Sequence, residues 1–435
     1  RNPPKMNVRA TKGLVALLTL CFTSFAFSGY RTLLDPRSMA MGGTGAAAST
    51  KFNASFHNPA LIAFNRGVKP DRIYISASQG LREIYDKSLD DDVLEYQGSD
   101  LFDSVDEPDE NPIPDLKRYR DFLRDKNMSS YRRDDTTAFS ILVDTLPVTI
   151  NFFVRRDIRE MAVIRNKDDE LISDYINSIE NDLEFSGARQ FSDLLSSSVD
   201  NTYFDISEFG VTVATTNVIE YNMPISWGLT PKIFEMNGSH IAIPLADYEI
   251  ETPPEPQISK DLIEWNLDIG YSMLLTDAFL SDGLGIDGWA LDGEWIFSFV
   301  GMNIFPTDFT PFKPPRFNPQ FPGTKRAIQA LYQLGVAHYR ENYMLTMDID
   351  LTENEVYDFE GLTRFLSMGG EYYWRDDFHL RAGLRLNLAQ TEFAAKDQAV
   401  LTGGFIYQPN GFNIEGAFMI NDVEQGATLG FGLAF

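Results

Sequence analysis

The feature that most constrains the fold is an alternation of apolar and polar residues with a period of two, from about residue 137 to the end. In the segment 378–388, FHLRAGLRLNL, Phe, Ala and Leu fill every other position, and His, Arg, Gly and Asn fill the positions between. A helix would mix these sets, whereas a strand separates them onto opposite faces. The pattern recurs in 265–274, 343–351 and 411–420, so we expect many antiparallel strands with one apolar face.

Two arrangements would cover that apolar face: a transmembrane barrel surrounded by lipid, or a large soluble β-sandwich. Each alternating segment has roughly the 9–11 residues that a tilted membrane strand needs. We count about sixteen candidate strands, several of which have a weak pattern, and commit to about fourteen, an even number as outer-membrane barrels favour. The sequence therefore predicts an all-β fold: a transmembrane antiparallel barrel over residues 67–435, with an N-terminal plug and helical or acidic loop insertions.

The last nine residues, ATLGFGLAF, favour the barrel over the sandwich. Such an apolar strand would invite aggregation if it were an open edge, whereas in a barrel it pairs on both sides and faces lipid. Four positions resemble the terminal signal by which outer-membrane barrels are recognised by the barrel assembly machinery: Thr428, Gly430, Leu433 and Phe435. We therefore expect that machinery, outer-membrane lipid and lipopolysaccharide as partners, and the bacterial outer membrane as the location.

The N-terminal region has the layout of a secretory signal peptide. Two basic residues precede an apolar run from Leu14 to Phe27, and small residues follow. We predict a signal peptide within residues 1–28, with residues 1–5 as upstream sequence, so that Cys21, the one cysteine of the chain, is removed.

The charge of the chain argues against direct binding of nucleic acid. The formal net charge is −26, and removal of residues 1–28, which carry four basic and no acidic residues, takes it to −30. A surface of this sign repels phosphate backbones. We therefore expect no direct nucleic-acid partner.

Two segments interrupt the alternation, and we predict them as long loop insertions at 83–133 and 167–199. Residues 83–110 contain twelve acidic residues and one lysine, and the continuation to 133 and the segment 167–199 have helical character. Such loops would contact a partner protein or divalent cations at a lipopolysaccharide surface. The alternative is a solvated acidic loop without a partner.

A glycine-rich motif, DPRSMAMGGTGAAAS, precedes the first strand. Its glycines, Gly42, Gly43 and Gly45, do not follow a strand and lack the lysine of a phosphate-binding loop, so close packing of the backbone against the inside of a wall is the better interpretation. Asn58 and Pro59 further on are typical of the first residues of a helix.

These motifs resemble a known family. The stretches DPRSMAMGGTG, ASFHNPALIA, LTMDIDLTENE and GGEYYWRDDFHLRAGLRLNL are similar to TraF-type conjugal transfer proteins, which are related to the FadL-like long-chain fatty acid transporters. The resemblance implies a fourteen-stranded barrel with residues 29–66 as a plug, in which Asn58, Pro59 and Ala60 match the family's Asn-Pro-Ala triplet. It implies a structural or accessory component of a conjugation or cell-surface apparatus, with surface or conjugation proteins as partners. The FadL-like alternative is a transporter of hydrophobic small molecules.

Four charged residues lie on the polar faces of predicted strands: Asp348, Asp350, Arg381 and Arg385. Buried charges need partners, so we expect an ion-pair network in the lumen that holds the plug. The alternative is a polar path for a substrate.

Catalysis is not expected. The chain has four histidines, at 57, 240, 338 and 379, and none accompanies a serine or cysteine in a recognisable nucleophilic arrangement. No cluster of His or Cys suggests a transition-metal site, and we expect no cofactor.

Overall fold

The computed structural model describes most of the barrel and the segment that precedes it. The described residues are 35–64, 72–85, 112–144, 148–181, 194–219, 222–245, 262–276, 279–283, 285, 292–309, 326–355, 362–389 and 399–435. The predicted signal peptide and most of the acidic stretch of the first loop insertion lie outside them.

Eighteen strands follow one another along the described chain, and fourteen of them close into one antiparallel barrel. The barrel strands are β1 (Arg72–Tyr85), β2 (Ser130–Asp144), β3 (Thr149–Arg165), β4 (Ser198–Val218), β5 (Pro224–Pro244), β6 (Leu262–Leu275), β7 (Glu294–Met302), β10 (Leu331–Tyr339), β11 (Tyr343–Asp350), β14 (Phe365–Arg375), β15 (Phe378–Asn387), β16 (Val400–Tyr407), β17 (Phe412–Ile420) and β18 (Glu424–Ala434). Two small hairpins lie in the connections: β8 (Thr307–Phe309) with β9 (Arg326–Ile328), and β12 (Asn354–Glu355) with β13 (Leu362–Thr363). The prediction of a barrel of about fourteen antiparallel strands is confirmed.

The last strand closes the barrel. β18 pairs with β17 on one side and with β1 on the other, in a register that sets Ile75 opposite Leu433. The backbone of Phe435 extends this pairing: its N–H donates to the carbonyl oxygen of Ile73 at 3.0 Å, and the N–H of Ile73 donates back at 3.3 Å. The C-terminal strand therefore has no free edge.

The outer wall is apolar and the inner wall is polar. Large hydrophobic side chains that point outward are exposed, among them Ile73, Phe139, Phe152, Phe209, Leu229, Phe297, Leu345, Leu401, Phe418, Leu429 and Phe431. Small polar side chains that point inward are buried, among them Ser140, Asn151, Thr212, Ser226, Ser272 and Ser298. This separation is the one that a membrane barrel needs, because lipid surrounds the wall while the lumen can hold polar groups.

The two ends of the barrel differ. The end that holds Phe435 has short connections at 340–342, 376–377 and 408–411, and we call it the short-turn end. The opposite end carries the long connections β1–β2 and β3–β4, and we call it the long-loop end.

Strand pairing enters both predicted loop insertions. β1 continues to Tyr85 and β2 begins at Ser130, so both edges of 83–133 belong to the sheet, and β4 begins at Ser198. The start of β2 lacks apolar alternation because both of its faces are charged. Arg132 and Asp134 pair inward, whereas Arg133 pairs with Asp135 on the half-exposed outer side.

The helices lie in the plug and at the long-loop end. α1 (Pro36–Ala40) belongs to the plug, whereas α2 (Ile113–Lys126) and α3 (Asp169–Glu180) lie in the two long connections. α2 and α3 pack on each other through a buried apolar cluster that includes Leu116, Tyr119, Leu123, Ile172 and Ile176. No helix of the described residues is long and apolar enough to span a bilayer.

Candidate functional site in the barrel lumen

Residues 35–64, the plug, are packed inside the barrel against its inner wall. At Gly42 the backbone has φ of +70°, and an added Cβ would lie 2.5 Å from the carbonyl oxygen of Leu384 on β15. On the wall side, a Cβ at Gly383 would lie 2.3 Å from the Gly42 nitrogen. The two backbones are in direct contact, which only glycine permits on both sides. Gly43, also at positive φ, turns the chain back, and its N–H donates to the Ser38 carbonyl at 2.8 Å.

Asp348 of β11 binds the next part of the plug. One of its carboxylate oxygens accepts hydrogen bonds from the backbone N–H groups of Gly45 at 2.6 Å and Ala46 at 2.8 Å. Gly45 lies flat on the His57 ring, where a Cβ would be 2.5 Å from the ring carbon Cγ. Hydrogen bonds from backbone N–H groups to a buried carboxylate are charge-assisted, so this contact fixes the position of the plug along the barrel axis.

A row of alternating charges joins the plug to β14, β15 and β17. Arg37 donates from Nη1 and Nη2 to the two oxygens of Glu371 at 3.1 and 2.8 Å, and from Nε to the carbonyl of Ala48 at 2.8 Å. Arg381 donates to the same Glu371 at 2.9 Å and contacts Glu415 with its Nη1. All four charged side chains are buried.

The Asn-Pro-Ala triplet anchors the second half of the plug. Asn58 caps a short 3₁₀ helix, Pro59–Ala63, by accepting from the N–H of Ala60 at 3.0 Å. Its amide group also donates to Ser272 of β6 at 2.9 Å. Ser226 of β5 donates to the Ala60 carbonyl at 2.6 Å, and the β5 glycine Gly228 leaves room for the Pro59 backbone.

Asp35 holds the two halves of the plug together. Its carboxylate caps α1 by accepting from the N–H of Ser38 at 3.0 Å, accepts from the Asn53 amide at 2.8 Å and contacts the His57 ring. Burial alone would raise the pKa of Asp35, but the adjacent His57 and these hydrogen bonds lower it to about 2.

The four charged residues predicted to line the lumen are all buried, but they serve different contacts. Asp348 and Arg381 belong to the contacts with the plug described above. Asp350 accepts from Gln333 at 2.5 Å and from the N–H of Phe365 at 3.0 Å. Arg385 donates to Glu424 at 2.5 Å, with its guanidinium 4.8 Å from the centre of the Phe365 ring.

Sequence reasoning did not single out Arg37, Glu371, Glu415 and Glu424 as partners of these residues. The sequence motif or the alternation of polar residues could have indicated three of these four residues. Arg37 lies inside the glycine-rich motif, Glu371 has the inward parity of β14, and Glu415 alternates with the apolar residues of segment 411–420. Which charges meet across the lumen depends on the curvature and register of the whole barrel, which one sequence does not show.

A cavity of about 360 Å³ lies between the plug and the wall at the short-turn end, and we call it the plug cavity. Its apolar lining includes Phe52, Leu61, Phe64, Ile296 and Ile406. Its polar lining includes Lys51, Tyr74, Tyr339, His379 and Gln408. The hydroxyl of Tyr74 is buried and has no hydrogen-bond partner among the described residues. The cavity can accept a ligand with an apolar body and a hydrogen-bonding group.

A closed antiparallel barrel with an apolar outer wall, a polar lumen and an internal plug defines this protein as a plugged barrel of the outer-membrane class. The family model described as "F plasmid transfer operon, TraF, protein" matches residues 55–286, just over half of the sequence. The chain belongs to this family.

Solved structures of similar architecture include a deltaS2S3 mutant of the TodX monoaromatic hydrocarbon channel, with 11% identity, a TM-score of 0.48 and coverage of 93% of this chain and 98% of that chain. A FadL homologue of Pseudomonas aeruginosa has 10% identity and a TM-score of 0.45, with coverage of 94% and 99%. No curated protein sequence matches this chain.

Proposed function

We propose that this protein is a plug-gated channel of the bacterial outer membrane that binds a small amphipathic molecule in the plug cavity and passes it along the plug. The observation that carries the proposal is the plug cavity itself. Its volume of about 360 Å³ lies within the range of roughly 300–1,000 Å³ that is usual for small-molecule sites.

The lining of the cavity supports a ligand of mixed character. Phe52, Leu61 and Phe64 come from the plug, and Ile296 and Ile406 come from the wall, so an apolar ligand body would touch both. The hydroxyl of Tyr74, which has no hydrogen-bond partner among the described residues, is available to a ligand. Any shift of the plug would change the shape of this site, because the plug supplies Phe52, Leu61 and Phe64 of its apolar lining.

The plug acts as the gate in this proposal. It is held by buried hydrogen bonds that Asp348 and Glu371 of the wall accept from plug residues, which keep the lumen filled at rest. In this proposal Asp348 and Arg381, two of the four residues of the predicted network, help to hold the plug closed, whereas Asp350 and Arg385 make their contacts within the wall.

The test uses proteoliposomes and 4-nitrophenyl β-glucoside, a neutral probe with an aromatic ring and a polar end. Entrapped β-glucosidase releases coloured nitrophenol from each molecule that enters. We expect entry through the wild-type protein and loss of entry in Ile406→Trp, which fills the cavity. The matched control is Phe405→Trp, since the adjacent residue faces the opposite side of the same strand. Equal entry in the two variants, or no entry above that of empty liposomes, would overturn the proposal.

A second candidate function is an accessory role in a conjugation or cell-surface apparatus. The family description favours it, and so does the α2–α3 pair, an ordered helical unit at the long-loop end of a barrel. Under this proposal surface or conjugation proteins bind the long connections, and the acidic stretch sets their charge preference. The net charge of −26 argues against the barrel itself conducting DNA.

One deletion distinguishes the two candidate functions. Replacement of residues 86–127 by a short Gly-Ser turn removes α2 and leaves β1 and β2 intact. Loss of a co-purifying surface protein or of conjugation with retained probe entry would support the accessory role. Normal conjugation and an unchanged set of co-purifying proteins would contradict it.

A further inference from the structure

A second group of buried charges lies in the lumen on the long-loop side of the plug, away from the plug cavity. It consists of Arg82, Arg132, Arg159 and Arg385, which we call the arginine cluster, with Asp134 and Glu424 between them. We propose that the arginine cluster binds a phosphate-type oxyanion. This site is independent of the proposed function, which concerns the opposite end of the lumen.

Asp134 and Glu424 each bind more than one guanidinium group. Arg132 donates to both oxygens of Asp134 at 2.9 and 2.6 Å, and Arg159 donates to the same carboxylate at 2.5 Å. Arg82 lies 3.6 Å from Asp134 and 2.6 Å from Glu424.

The excess of positive charge is clearest at one carboxylate oxygen of Glu424. Its oxygen Oε1 lies 2.6 Å from Nε of Arg82 and 2.5 Å from Nη2 of Arg385. Two cations therefore converge on one oxygen in a buried site, where like charges repel strongly. A bound anion would lower that repulsion.

Donor groups remain for such an anion. The Nε of Arg385 is buried and has no hydrogen-bond partner among the described residues. A guanidinium carries five N–H donors in a planar fork, which matches the oxygens of phosphate or sulfate in pairs. Arg82 and Arg132 keep 12% and 11% of their side-chain surface exposed, so the cluster is accessible from the lumen.

The arginine cluster lies close to the plug. Val400 pairs with Arg385 in the sheet, and Val400 packs with Met39 and Ala40 of the plug in one buried apolar cluster. The arginine cluster is therefore close to α1 on its long-loop side. The net charge of −26 opposes the entry of an anion, so the attraction would come from the local positive potential of the four guanidinium groups beside the plug.

The test measures the midpoint of heat-induced barrel unfolding in detergent, with inorganic phosphate replacing chloride at constant ionic strength. We expect phosphate to raise the midpoint of the wild type in a saturable way. Loss of one guanidinium in Arg82→Gln or Arg385→Gln should weaken the apparent phosphate affinity by about tenfold. Arg156→Gln is the matched control, because Arg156 is exposed on the outer wall and pairs with Asp205. It should keep wild-type affinity.

Further variants separate charge from folding and identify the source of the anion. If Arg82→Gln does not fold, Arg82→Lys keeps the charge, and it should still weaken phosphate binding because the planar fork is lost. A midpoint that rises with lipopolysaccharide in the absence of added phosphate would assign the anion to the lipid headgroup, and one that rises with phosphate in the absence of lipopolysaccharide would assign it to free phosphate.

Three outcomes would overturn the proposal. One is a wild type whose midpoint does not respond to phosphate. Another is a control, Arg156→Gln, that weakens phosphate binding as much as Arg82→Gln does. The third is a response that appears only after the acidic residues of 86–110 are changed to Asn and Gln, because the chain's own carboxylates would then occupy the site.

Discussion

Arg37 of the plug and Glu371 of β14 form two parallel hydrogen bonds, from Nη1 to Oε1 at 3.1 Å and from Nη2 to Oε2 at 2.8 Å. This bidentate contact fixes the orientation of the plug as well as its position. Arg381 binds the same carboxylate and also contacts Glu415, so two carboxylates balance two buried guanidinium groups, and Glu371 bridges them.

Glu371→Gln should therefore destabilise the protein severely. Loss of the carboxylate leaves Arg37 and Arg381 as buried cations with weakened partners, a change that costs about 3–5 kcal/mol in proteins. The control is Glu180→Gln at the end of α3, where an exposed pair with Lys117 contributes about 0–1 kcal/mol. Denaturant unfolding in detergent measures both variants. Equal losses would mean that Glu371 does not hold the plug.

Gly42→Ala tests the contact between plug and wall. Alanine at φ of +70° costs roughly 1 kcal/mol by itself, and here the new methyl group would also collide with the Leu384 carbonyl at 2.5 Å. Gly285→Ala is the matched control, because Gly285 has φ of +68° and nothing within 4 Å of its added Cβ.

We expect Gly42→Ala to lose clearly more unfolding free energy than Gly285→Ala and to increase protease cleavage within the plug. Similar losses in the two variants would show that the Gly42 backbone moves away from β15 at little cost. In that case the plug would not be fixed at this contact.

The sequence predicts the structure correctly where apolar and polar residues alternate along the chain. Alternation with a period of two predicts the barrel, and the inward parity of Asp348 and Arg381 follows from it. Partner choice across the lumen could not be predicted, since Arg37 and Glu371 are 334 positions apart and meet only when the sheet closes. The charged start of β2 was predicted as loop because its ion pairs replace the apolar face that a sequence pattern needs.

The plug should loosen in acid because of Asp35. Burial opposes its ionisation, but His57, the Ser38 N–H and the Asn53 amide lower its pKa from 3.8 to about 2. Arg37 and Glu415 line the same crevice. Because the folded-state pKa is below the unfolded value, the stability from this carboxylate is complete above pH 3.8 and is lost as the pH falls towards 2.

Asp35→Asn keeps a capping side chain for α1 but removes the charge. The difference in unfolding midpoint between wild type and this variant should shrink as the pH falls from 4 to 2, whereas Asp376→Asn in the exposed turn after β14 should differ little from wild type throughout. A constant difference for Asp35→Asn across this range would show that its ionisation does not stabilise the plug.

The C-terminal Phe435 is expected to serve assembly in two separable ways. Its backbone completes the pairing with Ile73, and its exposed aromatic ring matches the terminal position of the assembly signal. Deletion of Phe435 removes both contributions, whereas Phe435→Ala removes only the ring. Phe418→Ala is the control, because Phe418 is an exposed outward-facing phenylalanine of β17.

We expect less heat-modifiable barrel in outer membranes for both changes at 435, and near-normal amounts for Phe418→Ala. Normal assembly of Phe435→Ala with failure of the deletion would assign the effect to the hydrogen bonds that close β18 on β1. Normal assembly of both would contradict the role of the terminal residue, because a closed barrel would then form without the last backbone contact and without the aromatic ring.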